Sequence, residues 1–255
     1  MPALQALIFD VDGTLAETER DGHRIAFNQA FAAAGLDWDW TPELYGELLK
    51  ITGGKERIRY YLDRWQPEAP EVEDQKAWIA SLHAAKNARY HELLHGGQIG
   101  LRPGVERLLL EAREAGLTLA IATTTTPENV LTLLRCTLGE ESIGWFAAIG
   151  AGDVVPAKKP APDIYTHVLK ELQLEPEVCL AFEDTAAGLK SASGADLATF
   201  ITQGYYSRDH DFTGAIAVLD GLGHEAEPCQ VIDGPDYLAP AVRLEALVEL
   251  HASQA

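Results

Sequence analysis

The sequence predicts an α/β protein, a mainly parallel sheet core interrupted by an all-helical insertion, on three observations. Residues 4–11 form a strand-sized apolar run, and further such runs alternate with helical stretches after residue 97. Between them, residues 19–97 show helical spacing throughout and no alternating strand pattern. Several apolar runs end in acids or hydroxyl residues, and ligands of open α/β sheets bind at such strand ends.

Leu4 to Val11 (LQALIFDV) is almost continuously apolar, as a strand buried on both faces is, and its end carries Asp10 and Asp12. Gly13 supplies a tight turn off that end. In the insertion, Ile25, Phe27, Ala30, Phe31 and Ala34 recur at helical spacing, with Gly35 as the C-cap. Thr41-Pro42 is a helix start, with Thr as N-cap and Pro at the first helical position. Ile58, Tyr61, Leu62 and Trp65 make a second apolar stripe, and Trp78, Leu82, Ala85 and Leu93 mark a long last helix. After Arg102-Pro103-Gly104 the spacing predicts a helix over Val105–Ala115, then a strand over Leu117–Thr123. A helix opens at Thr126-Pro127, and Phe146–Ile149 is a short strand. Asp163–Leu172 reads as a helix and Val178–Phe182 as a strand ending in Glu183-Asp184. Leu197–Ile201 and Ala215–Leu219 are further strands, and no motif is readable beyond Gly221. The expected organisation is a core of residues 1–18 and 98–255 with right-handed crossovers, and a helical domain of residues 19–97 able to act as a lid.

The chain has 255 residues, 47% of them hydrophobic, and no low-complexity tract, so a folded protein is expected. With 20 basic against 39 acidic residues the formal net charge is −19, which argues against binding nucleic acid or an anionic membrane through a basic patch. The apolar runs are too short to span a bilayer, and no secretory pattern opens the chain. A cytoplasmic protein is expected, or a plastid-stromal one if a transit peptide has been removed. Three scattered cysteines form neither a zinc site nor a disulfide framework. A monomer is the default expectation.

Four groups of residues carry chemistry. In Asp10-Val11-Asp12-Gly13-Thr14 the turn at Gly13 takes the second carboxylate out of register with the first. Asp10 can then act as a nucleophile while Asp12 protonates a leaving oxygen. Thr123, ending its strand, can hold a phosphoryl oxygen with the backbone N–H groups after it, while Thr126 caps the next helix. In Lys158-Lys159-Pro160-Ala161-Pro162 the prolines stiffen the approach to a helix and fix an ammonium, although a lysine pair is more often a solvated surface feature. Glu183-Asp184, with Asp10, supplies hard oxygen ligands suited to Mg²⁺, and Asp184 also suits the N-terminus of the next helix.

In this order, DVDGT, a strand-end Thr, Lys-Pro and Glu-Asp, the chain resembles the haloacid-dehalogenase superfamily along essentially its whole length. The resemblance implies a Rossmann-like core and hydrolysis of a phosphate ester. It makes Asp10 the nucleophile, Asp12 the acid/base, Thr123 a phosphate ligand and Lys159 the stabiliser of the nucleophile. The metal ligands would be Asp10, Glu183, Asp184 and the backbone carbonyl of Asp12. The helical insertion resembles the C1-type cap shared by β-phosphoglucomutase and phosphoglycolate phosphatase relatives. More narrowly, Ala16-Glu17-Thr18-Glu19, Thr52-Gly53-Gly54-Lys55-Glu56-Arg57 and the Thr123–Thr126 run resemble the CbbY-type sugar-bisphosphate phosphatases of the Calvin cycle, which dephosphorylate xylulose-1,5-bisphosphate. That resemblance implies substrate contacts from Thr18, Thr124 and Glu19, the last to sugar hydroxyls. It also implies a distal-phosphate site at Gly53, Gly54 and Lys55, with Arg57 assisting. A Gly-Gly loop beside cations suits an anion, though the segment also reads as a plain polar helix start.

The same core motifs serve a sugar phosphomutase, which differs by returning the phosphoryl group to a sugar. A phosphoaspartate signalling receiver uses similar residues but is about half as long and has no such insertion. A dinucleotide-binding protein is excluded, because no GxGxxG follows the first strand.

Overall fold

The computed structural model describes residues 3–254. In chain order it contains β1 (Ala6–Phe9), α1 (Arg24–Ala33), α2 (Pro42–Leu48), α3 (Gly54–Trp65), α4 (Gln75–His95), α5 (Val105–Glu114), β2 (Thr118–Ala122) and α6 (Pro127–Leu138). There follow β3 (Phe146–Gly150), α7 (Asp163–Leu172), β4 (Cys179–Glu183), α8 (Ala186–Ser193), β5 (Ala198–Thr202), β6 (Ala217–Leu219), β7 (Val231–Asp233) and α9 (Leu244–Ala252). The chain divides into two compact units. One comprises the chain up to Glu17 and from Leu101 onward, the other Thr18–Gly100.

The first unit is Rossmann-like. Among the described residues its strands form one seven-stranded sheet of order β3-β2-β1-β4-β5-β6-β7. The pairings from β3 through β6 are parallel, and β7 closes the edge antiparallel to β6. Ala6 and Ile8 pack into a cluster with Ala120, Ala122, Ala181 and the α7 residues Ile164 and Val168. Their neighbours Leu7 and Phe9 point the other way and are equally buried, which is why the run lacks an apolar/polar alternation. Phe9 stacks on Phe182 across the β1–β4 pair at 4.6 Å. The chain moves outward from β1 to β2 and β3, then returns to start β4 on β1's other side. That reversal between β1 and β4 is where a ligand crevice opens at the carboxyl ends of the strands.

β1 is shorter than its apolar run. It ends at Phe9, so Asp10 is the first residue beyond it, still tied to the sheet by Asp10 N–H donating to the Phe182 carbonyl at 3.0 Å. The segment after Gly221 holds β7 and α9. α9 is fastened to α5 through Glu111, which accepts from Arg107, Arg243 and the Leu244 amide.

The second unit is helical. Thr41 accepts from Leu44 N–H at the start of α2, and Asp74 accepts from Ala77 N–H at the start of α4. Its centre is aromatic: Phe27, Phe31, Trp38, Trp40, Tyr45 and Tyr61 are in mutual ring contact. Three stripe positions differ from the sequence expectation. Ala34, Trp65 and Ala85 are exposed, and Ala26 and Lys86 take the inward places. Among the described residues no helix is long and apolar enough to cross a membrane.

Candidate active site

β1 and β4 are neighbours with Phe9 paired to Phe182, so the residues that follow, Asp10 and Glu183, leave the sheet side by side. Lys159 approaches them from the loop between β3 and α7. Its ammonium donates to Asp10 Oδ1 at 2.6 Å, to Glu183 Oε1 at 2.5 Å and to the Ala122 carbonyl at 2.8 Å. An ammonium has three protons, and these acceptors match them one for one. Lys158, the other member of the pair, turns away to an ion pair with Asp153 at 3.0 Å.

Asp10, Lys159, Glu183 and Asp184 are all buried. Burial pushes the Asp10 carboxyl up to about 7 against the pull of Lys159, with Glu183 and Asp12 adding to the rise. Burial also raises Asp184 well above the carboxylate range, reinforced by Asp10 and Glu183 and opposed by Arg102. For Lys159 burial works downward, yet Asp10 and Glu183 outweigh it and hold the ammonium protonated.

Oxygens of Asp10, Glu183 and Asp184 lie within 4.8 Å of one another. One ammonium does not balance three buried carboxylates, and the raised Asp10 and Asp184 express that deficit. Hard oxygen donors at this spacing with an uncompensated negative charge fit a small divalent cation.

Two glycines make room for these acids. A Cβ on Gly13, whose φ is +90°, would overlap the Asp184 carboxylate, and one on Gly188 would overlap that of Glu183. Thr123 is buried one residue beyond β2, with its amide donating to Gly150 O at 2.9 Å. Its Oγ1 accepts from Thr125 N–H at 3.3 Å, while Thr124 is half-buried. Thr126 caps α6 by accepting from Asn129 N–H. Asp12 is half-buried in the turn closed by Gly13 N–H to Ala16 O at 2.8 Å.

Tyr165 went unnoticed in the sequence because it sits on the apolar face of α7. Fully buried, its hydroxyl donates to Glu183 Oε1 at 2.5 Å, the oxygen that Lys159 also uses.

The helical unit carries the remaining candidate residues. Glu19 accepts from Tyr45 Oη–H at 2.5 Å. Tyr45 Oη in turn accepts from Arg57 at 2.9 Å, and Arg57 also donates to the carbonyls of Leu48 and Ile51. Arg57 is buried, and its guanidinium faces the unit's own loop. These two carbonyl contacts tie this cation to the α2–α3 connection. Lys55 is exposed on the first turn of α3, after a Gly53 at φ +100° and a half-buried Gly54. Thr18 is fully buried at the start of the unit. His23 is also buried, its Nδ1 2.8 Å from Lys86 Nζ and its ring against Tyr90. The sequence held a signal for Lys86: it lies four residues after Leu82, in line with the inward stripe.

A family model described as haloacid dehalogenase-like hydrolase matches residues 4–196. The chain is 50% identical over 225 residues to the protein CbbY, plasmid, of Cupriavidus necator, covering 88% of each chain. It is 41% identical to a CBBY-like protein of Arabidopsis thaliana, covering 87% of this chain and 70% of that one. A crystal structure of a mutant CbbY from Rhodobacter sphaeroides in complex with xylulose-(1,5)bisphosphate is 46% identical, with a TM-score of 0.79 over 88% of this chain and 98% of that one.

Proposed function

The chain belongs to the haloacid dehalogenase-like hydrolase family and is a phosphatase within it, and from that premise we propose that it hydrolyses a small sugar bisphosphate through a phosphoaspartate on Asp10. The observation that carries this reading is the Lys159–Asp10 contact at 2.6 Å beside two more buried carboxylates. With Oδ1 held by Lys159, Asp10 presents Oδ2 to phosphorus. The new carboxylate–phosphorus bond forms as the ester P–O bond breaks, and Asp12 gives its proton to the departing alkoxide. Asp12, now a carboxylate, takes a proton from water as the water oxygen attacks the phosphoaspartate, releasing phosphate and restoring Asp10. Thr123 and the amides that follow it hold the phosphoryl oxygens. Asp10, Glu183, Asp184 and the carbonyl of Asp12 would hold Mg²⁺. When bound, the ion supplies charge neutralisation for the carboxylates and the phosphoryl group.

For the substrate, the relative crystallised in complex with xylulose-(1,5)bisphosphate supports that sugar, and in this reading the 1-phosphate is the one removed. In this reading Glu19 and Thr18 meet the sugar and Thr124 supports the phosphoryl end. The distal phosphate falls to Lys55 and the Gly53-Gly54 amides, with Arg57 assisting by holding the loop before them through Leu48 O and Tyr45 Oη.

The test is a kinetic screen of sugar mono- and bisphosphates with Mg²⁺, with and without a 1,6-bisphosphate primer. Preferred release of phosphate from xylulose-1,5-bisphosphate is expected, with turnover in Asp10→Asn down about 10³-fold or more at unchanged melting temperature. Primer-dependent isomerisation of a monophosphate would instead make the protein a mutase. Undiminished turnover in the Asp10→Asn variant would remove the phosphoaspartate.

A further inference from the structure

Arg102 is the second residue after the chain returns from the helical unit, and its side chain is only 9% exposed. Its amide donates to Leu15 O at 2.9 Å, so the returning strand lies against the Asp10–Ala16 loop. The guanidinium donates to the carbonyls of Thr202 at 2.7 Å, Gln203 at 2.9 Å and Asp220 at 2.8 Å, and to the carbonyl of Gly13. Thr202 ends β5 and Asp220 follows β6. One planar fork therefore ties the turn that carries Asp12 to the carboxyl ends of two sheet strands.

The same guanidinium lies beside an acid that the reaction so far leaves out. Glu17 Oε2 is 4.0 Å from Arg102 Nε, and Glu17 Oε1 accepts from Tyr205 N–H at 3.3 Å. A Cβ built on Gly204 would stand 3.5 Å from Asp184 Oδ2 and 3.6 Å from the Glu17 oxygens, so both acids border the same glycine. Arg102 pulls Asp184 down while Glu17 pushes it up. A cation of fixed geometry thus stands beside the loop of Asp12, the Glu17 that follows it and the Asp184 that follows β4.

We propose that Arg102 is a positioning residue for phosphoryl transfer, fixing the Asp12–Gly13 turn against β5 and β6 and holding Glu17 in place beside Asp184. This rests on the functional reading above, since it is the Asp12 carbonyl and the Asp184 carboxylate whose placement it sets. Lysine keeps the charge but not the fork, because an ammonium cannot reach four carbonyls in one plane. Charge and geometry are therefore separable.

The experiment compares wild type, Arg102→Lys and Arg102→Gln by Mg²⁺ titration calorimetry, steady-state kinetics and thermal melting. Orienting groups behind metal ligands typically contribute 10–100-fold. Both variants are expected to bind Mg²⁺ about 10-fold more weakly or worse, and to lose about 10²-fold in kcat with KM moving less than about threefold. A purely structural role would lower the melting temperature and leave Mg²⁺ affinity and kcat at wild-type values in the folded protein, and that result overturns the proposal. Should Arg102→Gln fail to fold, Arg102→Lys decides alone, since its ammonium still neutralises the site. Wild type that neither binds Mg²⁺ nor releases phosphate overturns the functional reading itself. Wild type that does both, with variants that match it, overturns only the role of Arg102.

Discussion

Glu183 shows how much of a site depends on one oxygen. Its Oε1 accepts from both Lys159 and Tyr165, and its Oε2 occupies the space left by the missing side chain of Gly188. Lys159 is held in turn, so the position of Glu183 sets where the ammonium meets Asp10. Gly188→Ala tests this coupling. The substitution suits the helix, because alanine is favoured there over glycine by about 1 kcal/mol. Its methyl group nevertheless occupies the place of the Glu183 carboxylate. Turnover is expected to fall about 10–100-fold while circular dichroism shows an intact fold; an unchanged kcat would mean that Glu183 can shift without moving Lys159. The acids and Lys159 were legible in the sequence because each follows a strand-sized run or precedes a proline. Tyr165 and Gly188 were not. A tyrosine on an apolar helix face reads as core, and a glycine's purpose is visible only in what would collide with it.

At the level of helices, the sequence conveyed the number and order of elements in residues 19–97 but not which cations face inward. Arg57 lies in a segment that also reads as a plain polar helix start, yet it is buried among the carbonyls of Leu48 and Ile51. The apolar stripe of α4 reads through Ala85, one position away from the inward Lys86, because a lysine breaks an apolar pattern. In the proposed reading the exposed Lys55, at the helix start after Gly53-Gly54, meets the distal phosphate. Lys55→Ala is therefore expected to raise KM for a sugar bisphosphate at least about 10-fold and to leave p-nitrophenyl phosphate within about twofold. Equal effects on both substrates would place Lys55 outside that subsite. The inward cations also set a pH response. His83 lies against Gly54, and burial, followed by Lys86, Lys55, His23 and Arg57, pulls it down to about 4. Its ordinary value is 6.5, so between those values the unfolded chain binds the extra proton and the folded chain does not. Stability from this group is full above 6.5 and is lost as pH falls toward 4. In His83→Gln the urea midpoint should decline less steeply than wild type across that window, and parallel declines would show that other groups govern the acid limb.

Across the whole chain the dominant property is the excess of acid. The formal charge of −19 comes from 39 acidic and 20 basic residues, and the ion pairs of Lys159, at 2.5 and 2.6 Å, are buried. Exposed pairs such as Arg89–Glu92 and Arg135–Glu140 each contribute little in water. Self-repulsion among the remaining carboxylates opposes compaction over distances that ordinary salt screens, since the Debye length falls from about 30 Å at 0.01 M to about 10 Å at 0.1 M. Adding a monovalent salt should therefore stabilise the protein instead of weakening it. Between 0.01 and 0.3 M KCl, without Mg²⁺, the melting temperature near pH 8 is expected to rise by roughly 2–4 °C, equivalent to about 1 kcal/mol for a chain of this size. The increment should shrink as the pH is lowered toward 5, where protonation removes part of the negative charge. Pairing Asp10, Glu183 and Asp184 with Mg²⁺ acts locally and should add its own stabilisation at either ionic strength. The two effects are separable by titrating Mg²⁺ at fixed ionic strength. A melting temperature that falls with KCl would mean that surface ion pairs, and not the surplus of carboxylates, control how this acidic chain holds together.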